Sequence, residues 1–312
     1  MIIPVILITM TALYCGLLVY LRNKARHYFF PRSRKQECVS VVVPVHNEEE
    51  NLPRLIELLG NQTYPAKKME IILVNDRSTD KSPAIIRKAA LHYPFIRQID
   101  IASCKHDISP KKNALFQGIN KATGEIIITA DADIAPEPGW IESVMSCFDE
   151  RTGMVIGYAA YSTDPPYNTL FHKLTALEYF SMGAVSLSTA AAGHPLTCFG
   201  ANLAFRSSLF HNIGGYGKTI HQLSGDDDLL LHRFSALTQH EIRFNTLPGG
   251  RVMTPPPPTV RDFIRQRIRF SSKHPSYPLN SLPLLFFIYL LHLLLLGGVV
   301  CTITGVQPFA VF

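Results

Sequence analysis

The chain has 312 residues, enough for one large domain or two smaller ones, and a formal net charge of +6. Charged residues make up only 17% of it, below the roughly 25% of a typical soluble domain. Two clusters, residues 22–35 and 261–273, hold eleven of the 30 basic residues but one of the 24 acidic ones. The rest of the chain is net acidic, which argues against nucleic acid as a partner and favours contact of both clusters with membrane lipid.

Uncharged apolar segments lie near both ends of the chain. Residues 2–21 contain no charged residue, and residues 282–304 form a second apolar run. Both approach or exceed the roughly 20 residues that span a bilayer, although a buried core helix is the alternative. Basic residues follow the first segment and none precedes it, which is typical of an anchor and not of a cleaved signal. The sequence thus predicts an integral protein of the plasma or inner membrane, with the region between the spans cytoplasmic.

The region between these segments alternates between strands and helices. Apolar, β-branched runs predict strands at 38–47, 70–76, 95–101 and 125–130, with amphipathic helices between them. This alternation implies a parallel, doubly wound α/β sheet. After Trp140, itself predicted to be a packing residue, a helix, a strand over MVIGYAAY, a helix over 170–190 and a strand running into a helix follow.

The predicted organisation has five parts. They are a transmembrane helix (2–21), a basic juxtamembrane segment (22–37), an α/β catalytic domain (38–254), a proline-rich exit with a basic interfacial helix (255–274) and a second transmembrane helix (282–304). The apolar tail after residue 304 resembles the start of a further segment, so a truncated piece of a longer membrane protein is one interpretation of the chain.

Two carboxylates follow the strand over 125–130. Asp131 and Asp133 are two positions apart, so in an extended segment they project to the same side of the sheet edge. Oxygen ligands in this position suit Mg²⁺ or Mn²⁺ carrying a diphosphate, and ligands of open α/β sheets bind outside the carboxyl ends of strands. An ordinary surface turn is the alternative reading of the pair.

Other polar residues follow predicted strands. Asn47 and Glu48 could hydrogen-bond a nucleobase edge, or Asn47 could cap the next helix with the glutamates in its first turn. Asp80 is expected to cap a helix. Lys112 could approach a phosphate or the base, or could be a solvated lysine.

A run of three aspartates, residues 226–228, precedes LLLHRF. A helix N-terminus capped by Ser224 is one interpretation, and a carboxylate that acts as a general base is a second that is compatible with it. The six cysteines show no C-x-x-C spacing and the twelve histidines no ligand spacing, so no zinc site or disulfide framework is predicted. His292, inside the second apolar segment, is expected to face protein or water.

The motifs VPVHNEEENL, VNDRSTDKS, KKNALFQGI, ADAD, GANLAFR, SGDDDLLLHR and QRIRF occur in this order. Over about residues 38–274 the chain therefore resembles the membrane-bound, inverting family 2 glycosyltransferases of the GT-A fold, which include cellulose, hyaluronan and poly-N-acetylglucosamine synthases and ceramide glucosyltransferase. The resemblance also implies a role for this chain in cell-envelope biosynthesis.

The resemblance implies a role for each motif. Donor-nucleotide contacts fall to Pro44, Asn47, Glu48, Asp76, Lys112 and Asp131, and the cation to Asp131 and Asp133. Gly200 and Asn202 would form the acceptor-side wall, Arg269 would contact the diphosphate with Gln266 beside it, and Phe270 would stack on the acceptor sugar.

The chain departs from the family pattern at two positions. Gly225 stands where the usual Glu of a Glu-Asp pair would be, so the base is Asp226 or, with a one-residue shift, Asp227. Phe270 stands where the usual motif has Trp. Arg265 and Arg267 are interpreted as lipid-binding.

These observations predict a metal-dependent inverting glycosyltransferase that moves a sugar from a UDP-sugar to a lipid or saccharide acceptor. A processive polysaccharide synthase of the same family is the alternative within this class. A sugar-nucleotide nucleotidyltransferase is disfavoured because the loop after the first strand is acidic, whereas such an enzyme needs a basic, Gly-rich one. An inactive membrane scaffold is disfavoured by the intact acids.

Overall fold

The computed structural model describes residues 2–104, 107–222, 224–272 and 282–304. The chain divides into two compact units: Tyr28–Pro275, and a unit formed by the two chain ends, Met1–His27 and Ser276–Phe312. Lys273, His274 and the tail after residue 304, on which predictions were made, lie outside the described residues.

The helices are α1 (Ile2–Arg26), α2 (Leu52–Gly60), α3 (Ser82–His92), α4 (Pro110–Lys121), α5 (Trp140–Met145), α6 (Leu170–Ala191), α7 (Ser207–Asn212), α8 (Asp228–Leu237), α9 (Val260–Ser271) and α10 (Leu282–Thr304). The strands are β1 (Val39–Val45), β2 (Met69–Asp76), β3 (Ile96–Ile101), β4 (Ile126–Thr129), β5 (Ala135–Pro136), β6 (Thr152–Ile156), β7 (Ala159–Tyr161), β8 (Leu203–Arg206), β9 (Glu241–Phe244) and β10 (Val252–Thr254).

The core of the larger unit is a seven-stranded sheet in the order β3-β2-β1-β4-β8-β6-β9. Strands β1 to β4 are mutually parallel, as predicted, and almost every residue of β1, β2 and β4 is buried. Continuous apolar runs form such strands because the sheet is covered on both faces. The expectation of an entirely parallel sheet was wrong, since β8 pairs antiparallel with both β4 and β6.

Two local predictions also need correction. The run MVIGYAAY is not one strand: it divides at Gly157 into β6, in the large sheet, and β7, in a second sheet of order β5-β10-β7. Helix α2 begins at Leu52, after the glutamates predicted for its first turn. Pro53 at the start of the helix explains this boundary, because proline fixes φ and lacks the N–H that a helix interior requires.

The smaller unit contains α1 and α10. Residues Val5–Arg26 are long and apolar enough to cross a membrane by length and composition, and among the described side chains of α10 the apolar stretch is Phe286–Val300. His292, predicted to face protein or water, meets Tyr14 edge to face with ring centroids 5.5 Å apart. The two apolar segments are therefore helices that pack on each other within this unit.

Candidate active site

A cavity of about 450 Å³ lies at the carboxyl ends of β1, β2 and β4. It forms where the chain order reverses, since β2 and β3 lie on one side of β1 and β4 on the other. Open α/β sheets bind ligands at such switch points because the loops diverge there. Its lining residues are Pro44, Val45, His46, Glu48, Asp76, Arg77, Pro110, Lys111, Ala114, Asp131, Ala132 and Asp133. The cavity thus brings together five predicted residues from three motifs: Pro44, Glu48, Asp76, Asp131 and Asp133.

Lys111, which lines this cavity, forms ion pairs with two carboxylates. Lys111 Nζ lies 2.8 Å from Asp131 Oδ1 and 2.9 Å from Asp226 Oδ2, so it joins residues 95 positions apart. Burial alone would lower the pKa of Lys111, but the two carboxylates raise it well above the usual value. Lys111 is therefore a fixed positive charge between the Asp-x-Asp pair and the aspartate run.

Asp133 has a different environment. Burial, with the charges of Asp131 and Glu48, raises its pKa to about 6. Its contact with the hydroxyl of Thr254 is long, 3.5 Å, and no ion pair to Asp133 occurs among the described residues. A buried carboxylate beside further acids favours a bound cation, which would offset the repulsion.

The three aspartates of residues 226–228 make different contacts. Asp227 caps α8 by accepting the Asp228 N–H at 2.7 Å, so the expectation that Ser224 is the cap was wrong. Asp228 is buried and accepts hydrogen bonds from the Cys198 N–H and the Thr197 hydroxyl. Of the three, Asp226 is the one that contacts Lys111 at the cavity, with 12% of its side chain exposed.

Lys112 does not line the cavity, contrary to the prediction. It is fully buried and its Nζ donates to the carbonyls of Thr219 and Ser224, at 2.6 and 2.8 Å. Successive residues of a helix point about 100° apart, so only one of two adjacent lysines at the start of α4 can face the cavity. Lys111 is the residue that the sequence reasoning missed, and Lys112 holds the loop that leads to Asp226.

Hydrogen bonds join the loop after β1 to the loop after β2. Asn47 has φ 57° and its Oδ1 accepts from the Thr79 N–H at 2.8 Å, so it is neither a helix cap nor a cavity-lining residue. The N-cap position of α3 is Lys81 and not Asp80 as predicted, although the Asp80 carboxylate accepts from the Ser82 N–H at the start of the helix. Asp76 does line the cavity, and the Arg77 guanidinium donates two hydrogen bonds to its carboxylate, at 2.7 and 3.1 Å.

Of the two residues predicted for the acceptor wall, Asn202 is buried in the interior and Gly200 lies beside the aspartates. The Asn202 side chain donates to the carbonyls of Tyr158 and Gly250 and accepts from Trp140 Nε1 at 3.0 Å. Asn202 is therefore a packing residue and not a wall residue. Trp140 is fully buried, as predicted. Gly200 lies against the aspartates: a Cβ placed on it would be 3.1 Å from Asp226 Oδ2, which is tighter than nine in ten real Cβ contacts.

Helix α9 carries Gln266, Arg269 and Phe270. Gln266 accepts from the Tyr161 hydroxyl at 2.8 Å, while Arg269 is exposed with its guanidinium 5.4 Å from the centre of the Phe270 ring. None of the three is among the described residues that line the cavity, and their roles stay predictions.

The lipid-binding interpretation of Arg267 was wrong. Its guanidinium pairs with Glu178 of α6 at 2.7 Å and lies over the rings of Phe263 and Phe270. Arg265 is exposed, at 63% of its side chain. Arg267 therefore joins α9 to α6.

In the part of the chain that the structure describes, no group of three or more His, Cys, Asp or Glu side chains could hold a metal alone. A divalent ion on Asp131 and Asp133 would need further oxygen ligands from a diphosphate or water. Mg²⁺ in nucleotide sites is bound in this way, through one or two carboxylates together with phosphates. The donor set fits such an ion.

The fold is similar to that of solved structures. A mannosyltransferase from Pyrobaculum calidifontis has a similar structure, with a TM-score of 0.64 at 22% identity over 93% of this chain and 81% of that one. Staphylococcus aureus TarS is similar at a TM-score of 0.50 and 16% identity, over 73% of this chain and 38% of that one. The fold is therefore the GT-A fold.

The family model described as glycosyl transferase family 2 matches residues 40–214, more than half of the chain. The chain belongs to this family, which confirms the family resemblance seen in its motifs.

Two curated relatives illustrate the similarity. A probable glycosyltransferase of Bacillus subtilis, YdaM, is 27% identical over 75% of this chain and 54% of its own length. An undecaprenyl-phosphate 4-deoxy-4-formamido-L-arabinose transferase of Pectobacterium carotovorum is 40% identical over 44% of this chain and 40% of its own. The chain spans about half the length of the curated relatives it matches.

Proposed function

We propose that the chain is a membrane-bound, inverting glycosyltransferase that moves a sugar from a UDP-sugar to a lipid or saccharide acceptor, on the cytoplasmic side of the membrane. The bridge from Asp131 through Lys111 to Asp226 carries the proposal, because it joins the cavity at the ends of β1, β2 and β4 to a candidate base. The apolar N-terminal helix and the basic residues that end it support the membrane location.

The donor would bind in the cavity. Glu48 and Asp76 offer carboxylate acceptors to a nucleoside, and Lys111 offers positive charge to a diphosphate. Asp131 and Asp133 would hold Mg²⁺ or Mn²⁺, which when bound neutralises charge that develops on a leaving diphosphate. The Pyrobaculum mannosyltransferase was solved with GDP-Man and Mn²⁺, and one TarS structure with UDP, so both nucleotides belong in a donor screen.

Asp226 is the proposed general base. It would accept the proton of the acceptor hydroxyl while that oxygen attacks the anomeric carbon from the face opposite the diphosphate, which inverts the configuration. Asp227 is the weaker candidate because its carboxylate caps α8. Gly200 beside Asp226 leaves room at the base that any larger residue would reduce.

The test compares two isosteric variants in membranes, with UDP and GDP release measured over a panel of sugar nucleotides. Asp226→Asn should reduce transfer by about 10²–10⁴-fold, the usual contribution of a general base, and leave nucleotide binding intact. Asp227→Asn should keep most of the activity. Normal turnover by Asp226→Asn would refute the assignment, and nucleotide release from no donor would refute the function.

A further inference from the structure

A second cavity, of about 550 Å³, lies between α6 and the segment that follows β9. Helix α6 contributes Phe180, Gly183, Ala184 and Leu187, and the remaining lining residues are Glu137, Tyr158, Phe244, Asn245, Thr246, Leu247, Pro248, Gly249 and Arg251. Apolar and aromatic side chains form most of the lining. Its volume is within the roughly 300–1,000 Å³ of small-molecule sites.

Gly183 allows Tyr158 to form a wall of this cavity. A Cβ at position 183 would be 2.7 Å from the Tyr158 ring, so a larger residue would displace that side chain. Tyr158 also meets Phe180 edge to face, with centroids 6.3 Å apart. The aromatic wall is thus fixed from the α6 side.

The same wall leads to the proposed base. Tyr158 meets the buried Phe199 ring edge to face at 5.5 Å, and the next residue, Gly200, lies against Asp226. The contact between Tyr158 and Phe199 therefore connects the lining of the cavity to the segment that carries Gly200.

The cavity adjoins an exposed apolar stripe on α6. Leu170, Leu174, Leu177 and Phe180 are 73%, 56%, 63% and 58% exposed, and their spacing of three or four residues places them on one helix face. Phe180 belongs to both the stripe and the cavity. Apolar side chains of this size on a soluble surface mark contact with another apolar phase.

The charged residues nearby indicate what contacts the apolar stripe of α6. Helix α9, which Arg267 joins to α6, exposes Val260, Ile264 and Ile268 together with Arg261 and Arg265. Exposed apolar residues beside arginines are typical of an anionic lipid surface, whereas a soluble protein partner would not require this combination.

We propose that this cavity binds the aliphatic chain of a lipid acceptor, which reaches it along the α6 stripe. The inference rests on the proposed function and selects lipid from its two acceptor classes. Arg251, 64% exposed at the rim, gives one donor to Glu137 at 3.2 Å and has others for a phosphate or hydroxyl head group. The aliphatic chain would then contact Tyr158, whose partner ring Phe199 precedes Gly200.

The first experiment reads chain binding without turnover. The full chain is placed in vesicles of phosphatidylcholine and phosphatidylglycerol with a trace of phosphatidylcholine that carries a diazirine at the end of one acyl chain. After irradiation, labelled peptides are mapped by mass spectrometry. Label is expected on residues 244–249 as well as on the α6 stripe. Label on the stripe alone would overturn the proposal, because that pattern needs only surface contact.

Matched variants on adjacent residues test the cavity itself. Ala184→Phe fills it, whereas Val185→Phe adds the same ring to an exposed position that does not line it. Ala184→Phe should reduce labelling of residues 244–249 at least fivefold, about 1 kcal/mol, and Val185→Phe should not. Leu247→Asn, which makes the cavity polar, is the second variant if Ala184→Phe does not fold. Unchanged labelling in the folded variants would refute the site.

Nucleotide release in native membranes tests the acceptor role. Ala184→Phe should lower release in proportion to its loss of labelling, with UDP binding unchanged. Loss of labelling with normal transfer would overturn the acceptor assignment. If the unmodified chain releases no nucleotide, the proposed function fails, whereas the labelling pattern still decides whether the cavity binds a lipid chain.

Discussion

The adjacent lysines of α4 provide a sharp test of the site, because the structure gives them opposite roles. Lys111 contacts Asp131 and Asp226 at the cavity, whereas Lys112 donates to the carbonyls of Thr219 and Ser224 in the interior. Substitution of each by Met removes the charge and keeps most of the side-chain length. Lys111→Met should therefore affect activity, and Lys112→Met should affect stability.

The expected loss of stability for each variant follows from the burial and hydrogen bonds of the lysine. Lys112→Met leaves two interior carbonyls without their donor, at about 1–2 kcal/mol each, so unfolding free energy should fall by about 2–4 kcal/mol. In a unit of this size that corresponds to a Tm about 5–15 °C lower. About a third of the Lys111 side chain is exposed, so solvent screens its ion pairs and their loss should cost under about 1 kcal/mol.

For activity, the substitution of Lys111 should have the larger effect. Lys111→Met removes the positive charge between the proposed cation site and base, and loss of one charged contact of about 1.5–3 kcal/mol reduces transfer about 10–150-fold. Thermal unfolding and nucleotide release are measured on both variants in the same detergent. The assignment is refuted if Lys112→Met reduces specific activity more than Lys111→Met at a temperature where both are folded.

Three further outcomes are expected. Asp133→Asn should remove the dependence of nucleotide release on added Mn²⁺ or Mg²⁺ after treatment with a chelator; a retained metal response would place the ion elsewhere. Asn202→Ala should lower stability by about 2–4 kcal/mol, because three hydrogen bonds to buried groups are lost, and leave the KM for acceptor unchanged in the folded fraction; a raised KM would restore its acceptor role. Gly200→Ala should lower kcat with little change in Tm, since the added methyl meets the Asp226 carboxylate at 3.1 Å; full activity would show that Asp226 moves freely.

The sequence predicted much of this protein because its signals are local. Apolar runs such as those of β1 and β4 can only be buried strands in this context, and alternation with helices places their carboxyl ends at one edge. The pattern of residues alone therefore puts Asp131 and Asp133 at the edge of the sheet where the cavity lies. The ordered motifs were enough to indicate the family.

Long-range pairing could not be predicted in this way. The antiparallel course of β8 depends on its partners β4 and β6, and the burial of Asn202 depends on Trp140 and Gly250, both distant in sequence. Nothing in the local pattern around Asn202 distinguishes a sugar-binding amide from one that packs.

The Asp-x-Asp pair, the aspartate run and the order of the motifs were determined by the sequence alone. The tertiary structure decided which lysine stands between the two acidic groups, that Asp227 is a cap while Asp226 pairs with the cavity-lining Lys111, and that α6 exposes an apolar stripe. The physical reason is that a residue's type and spacing set the faces available to it. Which face meets solvent, a carboxylate or a buried carbonyl depends on segments about a hundred residues away.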